Sequence, residues 1–153
     1  MKRATSFYSG TGMILLLSLA TWFACSSLNL SAQGIDKEII GTWILESNGD
    51  QLSGGEITFN DKGKYQFQKK FSDGQGASES GCYRLDVRYT PANLLLCLGD
   101  CNAAGAEFTT SYCLARISKD GKLEIIISSE GNFPPKFPRD KMSKGYYTFV
   151  RSE

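Results

Sequence analysis

None of the 153 residues is histidine. That absence removes the usual general base near neutral pH, and with it every Ser-His, Cys-His and His-metal design. Carboxylate or Tyr/Lys chemistry is what remains, and the 16 acidic residues show no pair set apart from the others. A noncatalytic protein without a cofactor is therefore expected. Proline is scarce as well, and three of its 4 occurrences, Pro134, Pro135 and Pro138, fall in one short segment. The apolar run near the N-terminus, Met13 to Ala24, is too short to cross a bilayer as a helix. Nor does one charge dominate, since 17 basic residues stand against 16 acidic ones. Nothing in that balance draws the chain to nucleic acid or to an anionic membrane surface.

What the N-terminus does contain is the order of features found in an export signal. Lys2 and Arg3 precede the apolar run, and Leu30-Ser31-Ala32 supplies a small residue before a cut. Cleavage after Ala32 is expected, making residues 1 to 32 a signal helix and 33 to 153 a single secreted or periplasmic domain. Cys25, at the end of the apolar run, is where a lipoprotein would carry its lipid anchor; an uncleaved anchor is the third option. Without residues 1 to 32 the basic count falls from 17 to 15 against 16 acids, a net charge of −1.

Four cysteines remain beyond the signal: Cys82, Cys97, Cys101 and Cys113. An even number in an exported chain favours two disulfides. A zinc site would need thiolates or imidazoles in ligand spacing, and Cys97-x-x-x-Cys101 offers half of one.

Apolar residues in 33 to 153 alternate rather than recur at helical spacing, which predicts antiparallel strands. Ile35 to Ile40 can form one helical turn. Eight strands follow: Thr42 to Ser47, Glu56 to Phe59, Lys64 to Phe71, Gly81 to Arg88, Asn93 to Leu98, Tyr112 to Ile117, Lys122 to Ser128 and Tyr146 to Arg151. Asn60 to Gly63, Tyr89 to Ala92 and Ser118 to Gly121 read as tight turns. Asn48 to Gly55, Ser72 to Ser80, Gly99 to Ser111 and Ser129 to Gly145 read as longer links. Short and long links thus alternate, which in an up-and-down sheet collects the long ones at one end. The expected fold is all-β, an eight-stranded antiparallel up-and-down barrel with a closed base and a loop-rimmed mouth; a two-sheet sandwich is the competitor.

Gly41-Thr42-Trp43, after a short helical turn and at the start of the first strand, resembles the Gly-x-Trp signature of lipocalins and of the shorter bacterial lipocalin-like domains. The resemblance implies a Trp across the closed end of the barrel, packed against a basic residue following the last strands. Here that residue would be Arg151, placing a guanidinium over the Trp43 ring.

Strand parity points Ile57, Phe59, Tyr65, Phe67, Tyr83, Leu85, Val87, Leu123, Ile125 and Ile127 inward, and Gln66, Gln68, Arg84, Asp86 and Glu124 toward water. Such large inward residues leave two alternatives, a solid core or a pocket open at the mouth. A pocket would be apolar with tyrosine hydroxyls, with Tyr65, Phe67 and Tyr83 as candidate ligand contacts. The segment Gly131 to Lys141 carries Phe133, Phe137 and three of the prolines. It is expected to pack down as a lid that adds both rings to the ligand site, to meet a partner, or to cover the barrel's edge.

Three functions follow. The resemblance implies binding of a small hydrophobic or amphipathic ligand. The second is docking onto or inhibiting an envelope or extracellular protein through 131 to 141, and the third is carboxylate or tyrosine enzymology. In the strand plan Cys97 pairs with Cys113 and Cys82 with Cys101; next comes Cys82 with Cys97 plus Cys101 with Cys113.

Overall fold

The computed structural model describes residues 35–99 and 109–153. The segment read as a signal, Cys25 and Cys101 lie outside the described residues, as does most of the link from Gly99 to Ser111. A helical turn, α1 (Ile35–Glu38), leads into β1 (Gly41–Asn48), β2 (Leu52–Phe59), β3 (Lys64–Phe71), β4 (Gly76–Asp86), β5 (Ala92–Leu98), β6 (Thr109–Ile117), β7 (Leu123–Ile127) and β8 (Tyr146–Arg151). Each strand pairs antiparallel with its neighbour in sequence. β1 also pairs with β8, so the sheet closes on itself and the sandwich is excluded.

Alternation builds this sheet. In β3, Tyr65 and Phe67 are buried while Gln66 and Gln68 are exposed. Opposite them, Ile57 and Phe59 of β2 are buried and pair with Phe67 and Tyr65. A one-residue slip would turn all four into water, so the register is strongly specified. The turn between β2 and β3 is held by Asn60, whose Oδ1 accepts the Lys62 and Lys64 amides, with Gly63 at a φ of 71°. That left-handed backbone is where glycine is least strained.

Three strands start well before the sequence predicts, β6 at Thr109 and two others by more. β2 begins at Leu52 and β4 at Gly76, so the links at 49–51 and 72–75 are short. Gly54-Gly55 and Gly76-Ala77-Ser78 have little strand propensity of their own. Pairing with β3 recruits both: Gly55 lies opposite Lys69, and Gly76 opposite Lys70. At Gly55 a Cβ would come within 2.7 Å of the Gln68 carbonyl oxygen, so the bare backbone suits this close approach. The long links at the mouth are therefore those after β5 and β7.

The closed end is knotted by Trp43. Its indole is 1% exposed, and Nε1 donates to the Ile39 carbonyl at 2.8 Å. The Arg151 guanidinium lies 4.4 Å from the ring centroid and donates to the carbonyls of Ile40 and Glu38. Gly41 has a φ of 129°, and a Cβ there would sit 2.9 Å from Arg151 Nη1. The Gly-Thr-Trp segment and the last strand thus meet as the resemblance implied.

Glu124 also departs from the expected exposure. Parity set it on the outer face, where it does lie, but it is only 1% exposed. The link from 128 to 145 lies over the outer wall, and Leu114, Ile126 and Tyr146 form a satellite cluster there against Phe137. Arg116 Nε and Lys141 Nζ donate to the Glu124 carboxylate at 2.5 and 2.7 Å. Burial pushes this carboxyl up, but the hydrogen bonds from Lys141 and Arg116 outweigh it and hold the group below its ordinary value.

Candidate functional site

Inward-facing positions change character from the closed end toward the mouth. Along β3 the inward series runs Tyr65, Phe67, Lys69; along β4 Glu79 lies opposite Phe67. Lys69 Nζ donates to Glu79 Oε1 at 2.5 Å and sits 4.9 Å from the Phe67 ring centroid. An ion pair thus stands on the lumen side of the wall, directly above an aromatic layer.

A third strand end brings in a second carboxylate. Asp50, in the turn after β1, accepts a hydrogen bond from the Tyr147 hydroxyl of β8 and one from the Gly145 amide at 3.4 Å. These groups border an open cavity of about 300 Å³. Tyr65, Phe67, Leu96, Ile127 and Tyr147 supply its apolar wall, Asp50, Lys69, Glu79 and Lys144 its charges, and Ser111, Ser128 and Ser129 hydroxyls. Phe67 meets Tyr147 edge to face, with centroids 6.0 Å apart.

The two phenols stay un-ionised over the physiological range. Burial, reinforced by the Glu79 charge, pushes Tyr65 up to about 12. Burial and the bond to Asp50 raise Tyr147 likewise. Both are hydroxyl donors rather than bases. Cys113 is fully buried and its thiol is pushed up to about 12 by burial alone, which makes it inert as a nucleophile.

The five candidate contacts from the sequence do not all converge. Tyr65 and Phe67 line the cavity. Tyr83 faces inward at the other end, its ring 5.0 Å from Phe59 and its hydroxyl bonded to the Asn60 carbonyl at 2.8 Å. Phe133 and Phe137 are on the outer wall, edge to face with Tyr112 at 5.2 Å and Tyr146 at 5.7 Å. Arg116 stacks over Phe137 at 4.3 Å. The segment 131 to 141 is thus a cover for the wall rather than a lid over the mouth; only the ends of this link, at Ser128, Ser129, Lys144 and Gly145, reach the cavity.

The pairing of Cys97 with Cys113 is also corrected, for both are free thiols. Cys113 lies opposite Leu94 and Cys97 opposite Thr110, so the two are three rungs apart. They also point to opposite faces, Cys113 into the core and Cys97 outward. Cys82 is not among the free thiols, and its expected pairing with Cys101 falls outside the described residues.

Lys69, Glu79, Asp50 and Lys144 were missed as site residues. Lys69 was within reach, since a lysine two places after Phe67 on a correctly placed strand has inward parity. Glu79 would have followed had β4 been extended back from Tyr83. Asp50 and Lys144 lie in links, where no period operates. Chemically the arrangement can seat a small ring or short chain and bond its polar end; among the described residues no three acidic or cysteine side chains converge as metal ligands. No protein-family model, curated protein or solved structure matches the chain.

Proposed function

We propose that this chain is an exported, noncatalytic barrel of the bacterial lipocalin-like kind that binds a small amphipathic molecule in its mouth. The observation that carries the reading is the cavity of about 300 Å³ with an aromatic wall and a charged, hydroxyl-bearing rim. Its size is at the lower end for small-molecule sites, and its mixture of apolar wall and few polar groups is what such sites have in common. Docking of a protein through 131 to 141 has less support, because Phe133 and Phe137 are already engaged by Tyr112 and Tyr146.

A neutral phenylnaphthylamine dye tests the site, since its fluorescence rises on leaving water. Saturable enhancement that is abolished by Ser111→Trp, which fills the lumen beside Leu96, supports the reading. Equal enhancement in the variant overturns it. The intact mass of the exported protein tests the processing, with a start after Ala32 expected and a lipid on Cys25 as the contrary result.

A further inference from the structure

The chemistry of the ligand's polar end can be read from which groups at the mouth are already satisfied; this step rests on the binding reading above. Each carboxylate at the mouth already holds a donor of this chain. Asp50 takes the Tyr147 hydroxyl on one oxygen and the Gly145 amide on the other. Glu79 takes Lys69 on Oε1 and has the more exposed side chain of that pair, 40% against 17%. Glu79 borders the cavity as well, and its charge is offset by the Lys69 ammonium 2.5 Å away.

The donors are less committed. Lys69 Nζ has three N–H groups and gives one to Glu79. Lys144 makes no ion pair among the described residues, and it borders the same cavity. The hydroxyls of Tyr65, Ser111 and Ser129 make no hydrogen bond among the described residues either. Two lysines and three hydroxyl-bearing residues thus border a space in which Glu79 is paired with Lys69 and Asp50 holds the Tyr147 hydroxyl, which leaves Lys144 as the cation without an ion pair among the described residues. The apolar wall is mainly ring edges and faces, from Tyr65, Phe67 and Tyr147, which suits a flat partner better than a flexible chain.

We infer that the mouth selects a small ring-bearing molecule with an anionic head, its rings against Phe67, Tyr65 and Tyr147 and its anion bonded by Lys69 and Lys144. The four charges at the rim cancel, so selection acts through short charge-assisted hydrogen bonds rather than long-range attraction.

Three probes with one ring system separate the terms: naphthoate, naphthalenemethanol and naphthylmethylammonium, titrated calorimetrically into the exported protein. Naphthoate is expected to bind about tenfold more tightly than the other two, the amount one charge-assisted hydrogen bond supplies. Lys144→Gln, at an exposed position that leaves the core intact, should remove most of that preference and leave naphthalenemethanol unchanged. Lys69→Gln strips Glu79 of its ammonium and should turn the preference toward naphthylmethylammonium. Equal affinity for all three overturns the anionic head while the site itself stands. Tightest binding of the ammonium probe by the unaltered protein overturns it too. Binding of the phenylnaphthylamine dye with none of the three shows that the ligand class is wrong, and failure of the dye as well removes the site.

Discussion

The two ends of this barrel are built from the same eight strands and do opposite things. At the closed end Trp43, Ile57, Phe59 and Phe149 are each 1% exposed, and Trp43 Nε1 and both Nη groups of Arg151 donate to backbone carbonyls. At the mouth the same inward register carries Lys69 and Glu79, with Asp50 and Lys144 above them. A barrel of eight strands is only just wide enough to be filled, so swapping apolar for charged residues on the inward face decides where filling stops. Stability should therefore be concentrated at one end and adaptability at the other.

The largest effect that would break this contrast is at Trp43. Trp43→Ala removes a fully buried indole and its bond to Ile39, and is expected to cost about 3–5 kcal/mol in chemical denaturation. A cost below about 1 kcal/mol would mean that the closed end is not the stabilising end. The outer wall comes next. In the double variant Arg116→Gln, Lys141→Gln the Glu124 carboxylate stays buried without cations, which should destabilise the fold at neutral pH, by less than a fully buried pair would because both cations are half exposed. Because Glu124 is held below its ordinary value, its stabilising contribution is present above the unfolded carboxyl's pKa and lost as pH falls through the folded one. The gap between variant and parent should therefore narrow as pH falls and close only below the lowered pKa of Glu124 in the folded parent. A gap that stays constant from pH 7 to pH 3 would assign the loss to packing on Phe137 instead.

The closed end was also the legible end. Trp43 and Arg151 follow from the Gly-x-Trp resemblance and the strand order, and Ile57 and Phe59, like Tyr65 and Phe67 nearer the mouth, follow from strand period, which the sequence carries locally. β3 and β8 have the predicted bounds. What could not be read elsewhere depends on contacts between segments distant in sequence. The glycine-rich start of β2 becomes strand only because β3 is beside it, and Glu124 is buried only because a link 128–145 folds over it. For Phe133 and Phe137 the sequence leaves a lid, a partner contact and a cover over the barrel's edge open, because loop residues have no period to fix their side. They lie on the outer wall, at Tyr112 and Tyr146. Cys97 and Cys113 failed as a pair for a similar reason, since their register had to be inferred across a long link.

Arg151 sharpens the comparison with a smaller effect. Arg151→Ala should cost about 1 kcal/mol through the lost contact with the Trp43 ring and stem packing. Arg151→Lys should recover part of it, because an ammonium keeps the attraction to the ring but not the fork that reaches both Ile40 and Glu38. Full recovery in thermal unfolding would show that charge alone matters there.

The smallest effect is expected at the mouth. Tyr147→Phe deletes the hydroxyl that bonds Asp50 but keeps the ring against Phe67. A hydrogen bond to a charged acceptor can contribute about 1.5–3 kcal/mol when both groups are buried. Asp50 is only half-buried, so water replaces the lost donor and the net cost should be about 0.5–1 kcal/mol. The variant also frees one carboxylate oxygen at the rim, which should weaken binding of an anionic probe more than a neutral one. A double-mutant cycle with Asp50→Asn isolates the pair, with a coupling of about 0.5–1 kcal/mol expected. A coupling of about 3 kcal/mol would mean that the mouth is as tightly locked as the closed end, and the division of the barrel into a stable floor and an adaptable rim would have to be given up.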